Sequence, residues 1–276
     1  MNKIKGYILL SRPMNLLIAF LSVMIAAAVT GTIQPIDRVL LAAVTATLIT
    51  VGANAINDYF DHAIDRINKP LRPIPAGIIL RSEALVFSIT AMLAGWIISW
   101  FLGKVMFMVA LIIGLLLVVY SWWLKRTVIS GNFTVSFATA MAFVFGGMAV
   151  SRPEATIFPA SFAFLFHFGR EILKDIQDMK GDQINHAITF AVKYGRRSSL
   201  TFMSVIFIIL LVWTLIPYII QIYGHIYLLI ILFGVYPVVI YVLYNSWKYP
   251  EPVKLGYLSN LLKADMLIGL LAIYFG

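Results

Sequence analysis

The sequence predicts an all-α integral membrane protein with nine transmembrane helices, and three observations predict it. Of the 276 residues, 61% are hydrophobic and only 12% are charged. The mean hydropathy is +0.93, well outside the range of ordinary soluble domains. Nine segments stay apolar over the roughly 20 residues that a helix needs to cross a bilayer. The net charge of +9 is also one-sided. When the connections are numbered alternately, one set receives nearly all the lysines and arginines and the other only Arg38, Lys104 and Arg152. The positive-inside rule makes the basic set cytoplasmic, so nine spans put the N-terminus inside a cell membrane and the C-terminus outside.

The segments lie at about residues 14–30, 39–57, 83–101, 105–123, 133–150, 157–174, 199–217, 226–246 and 257–275. Lys3, Lys5 and Arg12 precede the first, an arrangement shared with cleaved signal peptides. The apolar run is long for a signal peptide, and cleavage would discard the polar "SRPMN" of Ser11 to Asn15. The second span runs into "NDYFDHAID" (Asn57 to Asp65). After it, the prolines of "NKPLRPIPAG" stiffen a loop that keeps Lys69 and Arg72 nearby. "YSWWLKR" (Tyr120 to Arg126) closes the fourth span with Lys125 and Arg126. The sixth carries Arg170 and Lys174 and runs into "KDIQDMKGD", and the ninth carries Lys263 close to Asp265. His167 reads as a packed helix residue rather than a base. The absence of cysteine excludes disulfides, Fe–S clusters and thiolate metal sites, and the four histidines form no zinc pattern. Topology accounts for the basic charge, so nucleic acid is not an expected partner. Nothing in the sequence selects an oligomeric state.

The aspartates carry the chemistry. Asp58, Asp61 and Asp65 are spaced D-x-x-D-x-x-x-D, and so are Asp175, Asp178 and Asp182. The differences 175 − 58, 178 − 61 and 182 − 65 all equal 117, which makes the chain, 1–276, one transmembrane domain with an internal pseudo-repeat. Spacings of three and four residues share a helical face, so each copy reads as a carboxylate stripe at the cytoplasmic end of a span. Like charges so close repel unless something cationic lies among them. All-oxygen ligands suit Mg²⁺, Mn²⁺ or Ca²⁺. Mg²⁺ usually takes one or two carboxylates and completes its shell with a substrate phosphate, so a diphosphate between two such stripes is the natural ligand. Arg72 and Lys125 on the same side suit its charge.

With N-D-x-x-D-x-x-x-D at Asn57 to Asp65, D-x-x-D-x-x-x-D at Asp175 to Asp182, "RPIPAG" at Arg72 to Gly77 and "SRPMN" at Ser11 to Asn15, the chain resembles the UbiA superfamily of intramembrane prenyltransferases over nearly its whole length. The resemblance implies nine helices around a central cavity, capped on the cytoplasmic side by short helices in the loops after spans two and six. It makes Asn57 and Asp61 ligands of one Mg²⁺ and Asp178 and Asp182 ligands of another, with the substrate diphosphate. Asp58, Asp65 and Asp175 would support those ligands or hold water and basic partners, and Arg72 and Lys125 would meet the diphosphate. Many members carry Tyr and Lys with three residues between them after span four. Here four stand between Tyr120 and Lys125, and on a helix one residue turns a side chain by about 100°.

"GREILKDIQDMKGD" and "YSWWLKRTVISGN" are similar to the archaeal-lipid branch of the superfamily, which moves a geranylgeranyl group from geranylgeranyl diphosphate to geranylgeranylglyceryl phosphate. A phosphorylated, lipid-like acceptor asks for further cations, and Arg12, Arg170, Lys174 and Lys263 are available; for Lys263 an ion pair with a nearby carboxylate such as Asp265, or a snorkelling side chain, is the alternative. The expected reaction stretches the allylic C–O bond as charge moves to diphosphate inside an apolar, aromatic cavity that excludes water. Both substrates would reach it from membrane lipid. An aromatic acceptor, as in quinone, haem or chlorophyll pathways, is the rival within the superfamily. A divalent-cation transporter is the rival outside it, but transport favours polar groups reaching both faces, whereas these cluster at one.

Overall fold

A computed structural model describes residues 2–276. Among the described residues the chain is helix and turn throughout. The helices are α1 (Lys3–Ser11), α2 (Pro13–Ala28), α3 (Ile36–Asn68), α4 (Arg81–Trp100), α5 (Lys104–Trp122), α6 (Ser130–Ala149), α7 (Ile157–Ile184), α8 (Phe190–Ile219), α9 (His225–Ile230), α10 (Tyr236–Lys248) and α11 (Pro252–Tyr274). A π-turn, Ile231–Val235, joins α9 to α10. The described residues divide into two compact units, 2–125 with 144–153 and 126–143 with 154–276. Each contains one copy of the aspartate motif.

In the first unit α3 is the axis. Its 33 residues rise roughly 50 Å against about 30 Å of hydrocarbon, so an apolar stretch can span while the C-terminal turns project beyond it. The motif occupies those turns. α3 packs on α2, α4 and α5, and the approach to α4 is close because Gly52 has no side chain. The Ser88 hydroxyl donates to the Gly52 carbonyl at 2.7 Å, and a Cβ on Gly52 would lie 2.4 Å from the Met92 side chain. Small residues serve this purpose in lipid, where packing rather than hydrophobicity joins helices.

After α3 the chain forms turns, not the short helix that the resemblance implied. Pro70, Pro73 and Pro75 lack amide hydrogens and restrict the residues before them. The Pro73 carbonyl instead accepts from Ile78 and Ile79 N–H at 2.9 and 3.2 Å. Ile74 and Ile79 bury themselves with Leu10, Ala55 and Ala84, so an apolar cluster clamps the loop to α1, α3 and α4. α1 and α2 are bent by 44° at Arg12, whose backbone is left-handed (φ 57°), and Pro13 then opens α2 as prolines commonly do.

In the second unit α7 packs along α8; Gly169 admits the Phe207 ring, 2.8 Å from where a Cβ would stand. α8 begins with one turn, Phe190–Tyr194, and kinks at Gly195 (φ 79°), which supplies a short helical piece after the second motif. α11 packs against α7 and α10.

Among the described residues seven helices are long and apolar enough to cross a membrane, α9 and α10 counting together as one, and the bent α1–α2 pair makes eight. The expected sixth span is helical, but α7 carries three charged residues, Arg170, Glu171 and Lys174, within that stretch. Replacing Gly146 with Ala would set a Cβ 2.3 Å from the Val23 carbonyl oxygen and 2.8 Å from Ala26 Cβ. Backbone cannot yield cheaply, so Gly146→Ala is expected to cost about 1–3 kcal/mol, read as a lower unfolding midpoint in detergent.

Candidate functional site

On α3 the expected single stripe resolves into two sets of partners. Asp58 and Asp65, two turns apart, are buried at 2% and 3% exposure. Arg72 Nη1 donates to Asp58 Oδ1 at 3.1 Å and to Asp65 Oδ2 at 2.6 Å. Arg12 reaches the same Asp58 oxygen from the α1–α2 bend. Burial by itself would weaken the Arg72 cation, but the Asp58 and Asp65 carboxylates outweigh it and hold the guanidinium protonated beyond its ordinary range. Asn15 and Asn54 extend this set: Asn15 Nδ2 donates to Asn54 Oδ1 at 3.2 Å, and Asn54 Nδ2 to the Ser11 carbonyl at 2.8 Å. The bend at "SRPMN" is therefore tied to α3 at two levels.

The second set is Asn57, Asp61 and Lys125. Asn57 Nδ2 donates to Asp61 Oδ2 at 2.8 Å. Lys125 Nζ pairs with Asp61 Oδ1 and lies 3.4 Å from Asn57 Oδ1, so its ammonium bridges both oxygens. α5 ends at Trp122 and Lys125 stands in a separate 3-10 turn, Leu124–Arg126. The 100° reckoning from Tyr120, which assumed one continuous helix, does not apply. Tyr120 is half-buried in the last turn of α5, Lys69 follows α3 with its N–H on the Asp65 carbonyl at 2.8 Å, and the Arg126 side chain is exposed.

In the second unit, Asn132 Nδ2 donates to Asp175 Oδ2 at 2.9 Å. Asp178 is half-buried and Asp182 buried, with the Thr189 hydroxyl 3.5 Å from Asp182 Oδ2. One turn earlier Lys174 Nζ meets both Glu171 oxygens at 2.8 Å and Arg170 Nη1 lies 3.4 Å from Glu171 Oε1. Arg170 Nε donates to the Ser259 carbonyl of α11 at 3.0 Å. Lys263 is half-buried on α11. The alternative pair with Asp265 is not formed: Asp265 is 1% exposed and neither of its oxygens has a hydrogen-bond partner. His167 Nδ1 is also buried without one.

Asn54, Asn132, Glu171 and Thr189 were missed by sequence reasoning. For two of them a signal existed, since 15 + 117 = 132 and 54 + 117 = 171 put Asn132 and Glu171 at the echoes of Asn15 and Asn54.

The donors suit a hard divalent cation. Asn57 and Asp61 offer an amide and a carboxylate oxygen one turn apart where Lys125 already places positive charge, and Asp178 and Asp182 repeat the four-residue spacing. No group of three or more Asp, Glu or His side chains forms a metal cage among the described residues. A partial shell of this kind suits Mg²⁺, which usually leaves positions to substrate phosphate and water.

The model of the UbiA prenyltransferase family matches residues 16–259. The chain belongs to this family. Among UbiA relatives, the digeranylgeranylglyceryl phosphate synthase of Methanothermobacter thermautotrophicus is 42% identical over 193 residues, 70% of this chain and 68% of that one. A solved structure described as a digeranylgeranylglyceryl phosphate synthase in membranes is 33% identical, covers 100% of this chain and 99% of its own, and superposes with a TM-score of 0.75. A UbiA homolog from Archaeoglobus fulgidus, solved with geranyl diphosphate (GPP) and Mg²⁺, is 18% identical over 95% of this chain and 98% of its own, with a TM-score of 0.65, a likeness of fold. The family places the chain among integral membrane proteins.

Asp58 ties together two arginines from different parts of the chain, so Asp58→Asn leaves both short of their counter-charge. Because Arg12 and Arg72 are about a quarter exposed, the expected loss is about 2–3 kcal/mol, below the roughly 3–5 of a fully buried broken pair. Denaturation in detergent measures it, and Asp58→Glu should recover part.

Proposed function

We propose that this UbiA prenyltransferase moves a geranylgeranyl group from geranylgeranyl diphosphate to the glycerol hydroxyl of geranylgeranylglyceryl phosphate, forming the second ether bond of an archaeal membrane lipid. The observation that carries this reading is the 33% identity, end to end, with a solved synthase of that name. In this reading Asn57 and Asp61 hold one Mg²⁺, and Asp178 and Asp182 hold another. Bound Mg²⁺ supplies Lewis-acid stabilisation of the charge that collects on the leaving diphosphate. Lys125, anchored on Asp61, donates to a diphosphate oxygen. Arg72 spends Nη1 on Asp58 and Asp65 and turns its Nε–Nη2 edge to phosphate. Lys69, Tyr120 and Arg126 are further candidates for substrate contacts, and Asp175 keeps Asn132 in place.

The allylic C1–O bond breaks with its electron pair going to diphosphate. The glycerol oxygen bonds to C1, and its proton passes to a diphosphate oxygen, so no dedicated base is required. Arg12, Asn15, Arg170, Lys174 and Lys263 are the candidates for contacts with the acceptor. As the sixth of nine spans, α7 would carry its charges on a face turned away from lipid. The one-sided lysines and arginines support a cytoplasmic N-terminus and active site and an outer C-terminus in the cell membrane.

The test is Mg²⁺-dependent transfer from labelled geranylgeranyl diphosphate, with geranylgeranylglyceryl phosphate and 4-hydroxybenzoate offered in parallel. Product should form from the phosphate ester and not from the aromatic acid. Asp61→Ala should lower kcat by about 10²- to 10³-fold, the several kcal/mol of metal stabilisation expressed as rate. Product from 4-hydroxybenzoate alone would retain the mechanism and overturn the acceptor.

A further inference from the structure

Glu171 is a buried carboxylate within α7, where an ionised side chain is costly and is usually retained for function. Its echo in the first unit is Asn54, since 171 − 117 = 54. Asn54 is satisfied entirely by neutral groups, Asn15 and the Ser11 carbonyl. A neutral amide therefore suffices ahead of the first motif. In α7 that place is taken by a carboxylate bracketed by two cations, Lys174 at 2.8 Å from both oxygens and Arg170 at 3.4 Å from one. Arg170 is fixed from its other side by the Ser259 carbonyl, and Lys263 lies one turn further along that same helix. The Glu171 side chain is 7% exposed and that of Lys174 is 32% exposed: the carboxylate is sealed in, while the ammonium it orients reaches accessible space.

We propose that Glu171 is a positioning residue for the acceptor, orienting Arg170 and Lys174 to receive the phosphate of a phosphorylated alcohol and thereby selecting it over an uncharged one. The inference rests on the prenyl-transfer reading above. Adjacent cations in fixed orientation bind phosphate through charge-assisted hydrogen bonds. Without Glu171, the carboxylates along the helix from Lys174 are Asp175 and Asp178, the latter at the four-residue spacing that favours ion pairs. Lys174 would then turn from the acceptor toward the motif.

The experiment uses the full chain in detergent with Mg²⁺ and geranylgeranyl diphosphate, and compares geranylgeranylglyceryl phosphate with phosphate-free geranylgeranylglycerol. E171Q should raise the KM for the phosphorylated acceptor about ten- to a hundredfold, the range for losing hydrogen bonds to charged groups. The kcat and the donor KM should stay within about threefold, the pattern of lost acceptor binding. E171D should recover part of the acceptor KM, and E171Q should use the phosphate-free alcohol no worse than the wild type. An unchanged acceptor KM, or equal changes for donor and acceptor, overturns the positioning role. Should E171Q fail to unfold cooperatively in detergent, E171D decides alone, since its shorter carboxylate must raise the acceptor KM and spare the donor KM. Wild-type protein that transfers nothing to the phosphorylated acceptor sinks the prenyl-transfer reading itself, a result distinct from an active wild type with an indifferent E171Q.

Discussion

Carboxylates placed where a helix leaves the hydrocarbon must be matched by cations, and most of the structure around the first motif serves that matching. A charge there cannot be left to bulk water as on a soluble protein, so each is met by a partner brought from elsewhere in the sequence. Asp58 draws Arg12 from the α1–α2 bend and Arg72 from the proline-rich loop. Asp61 draws Lys125 from beyond α5. The left-handed backbone at Arg12, the buried Ile74 and Ile79, and the 3-10 turn at Leu124–Arg126 all follow from the need to present those cations at fixed positions.

The two units meet the same demand with different chemistry. Around Asp58 the solution is ionic and uses two arginines, whereas the equivalent Asp175 has the neutral amide of Asn132. One turn earlier the order reverses, with neutral Asn54 in the first unit and the Glu171–Lys174–Arg170 cluster in the second. Equal carboxylate spacing thus coexists with unequal surroundings. A scaffold that treats its two motifs differently is suited to a reaction whose two substrates both carry phosphate but differ in fate, one losing diphosphate and the other keeping its monophosphate.

Much of the fold was legible because lipid imposes simple rules. An apolar run of sufficient length must be a helix, since no other structure satisfies its backbone in hydrocarbon, and most of the expected spans are helices at nearly the expected places. The stretch 157–174 is helical as expected, yet Arg170, Glu171 and Lys174 leave it more charged than the helices apolar enough to cross a membrane. The short helix expected after α3 gave way to turns because three prolines remove the amide hydrogens that a helix needs.

The sequence by itself determined the membrane class, the approximate spans and the doubled aspartate motif, because these depend on residue type and on spacing along a single helix. The tertiary structure alone decided which partner each carboxylate takes. Asp58, Asp61 and Asp65 look equivalent on a helical wheel, yet two meet arginines and one meets Lys125, while Lys263 does not pair with Asp265 two residues away. Such pairings join residues as far apart as Asp61 and Lys125, 64 positions along the chain. Loop geometry and helix packing bring them together, and neither is encoded in the spacing of any one segment.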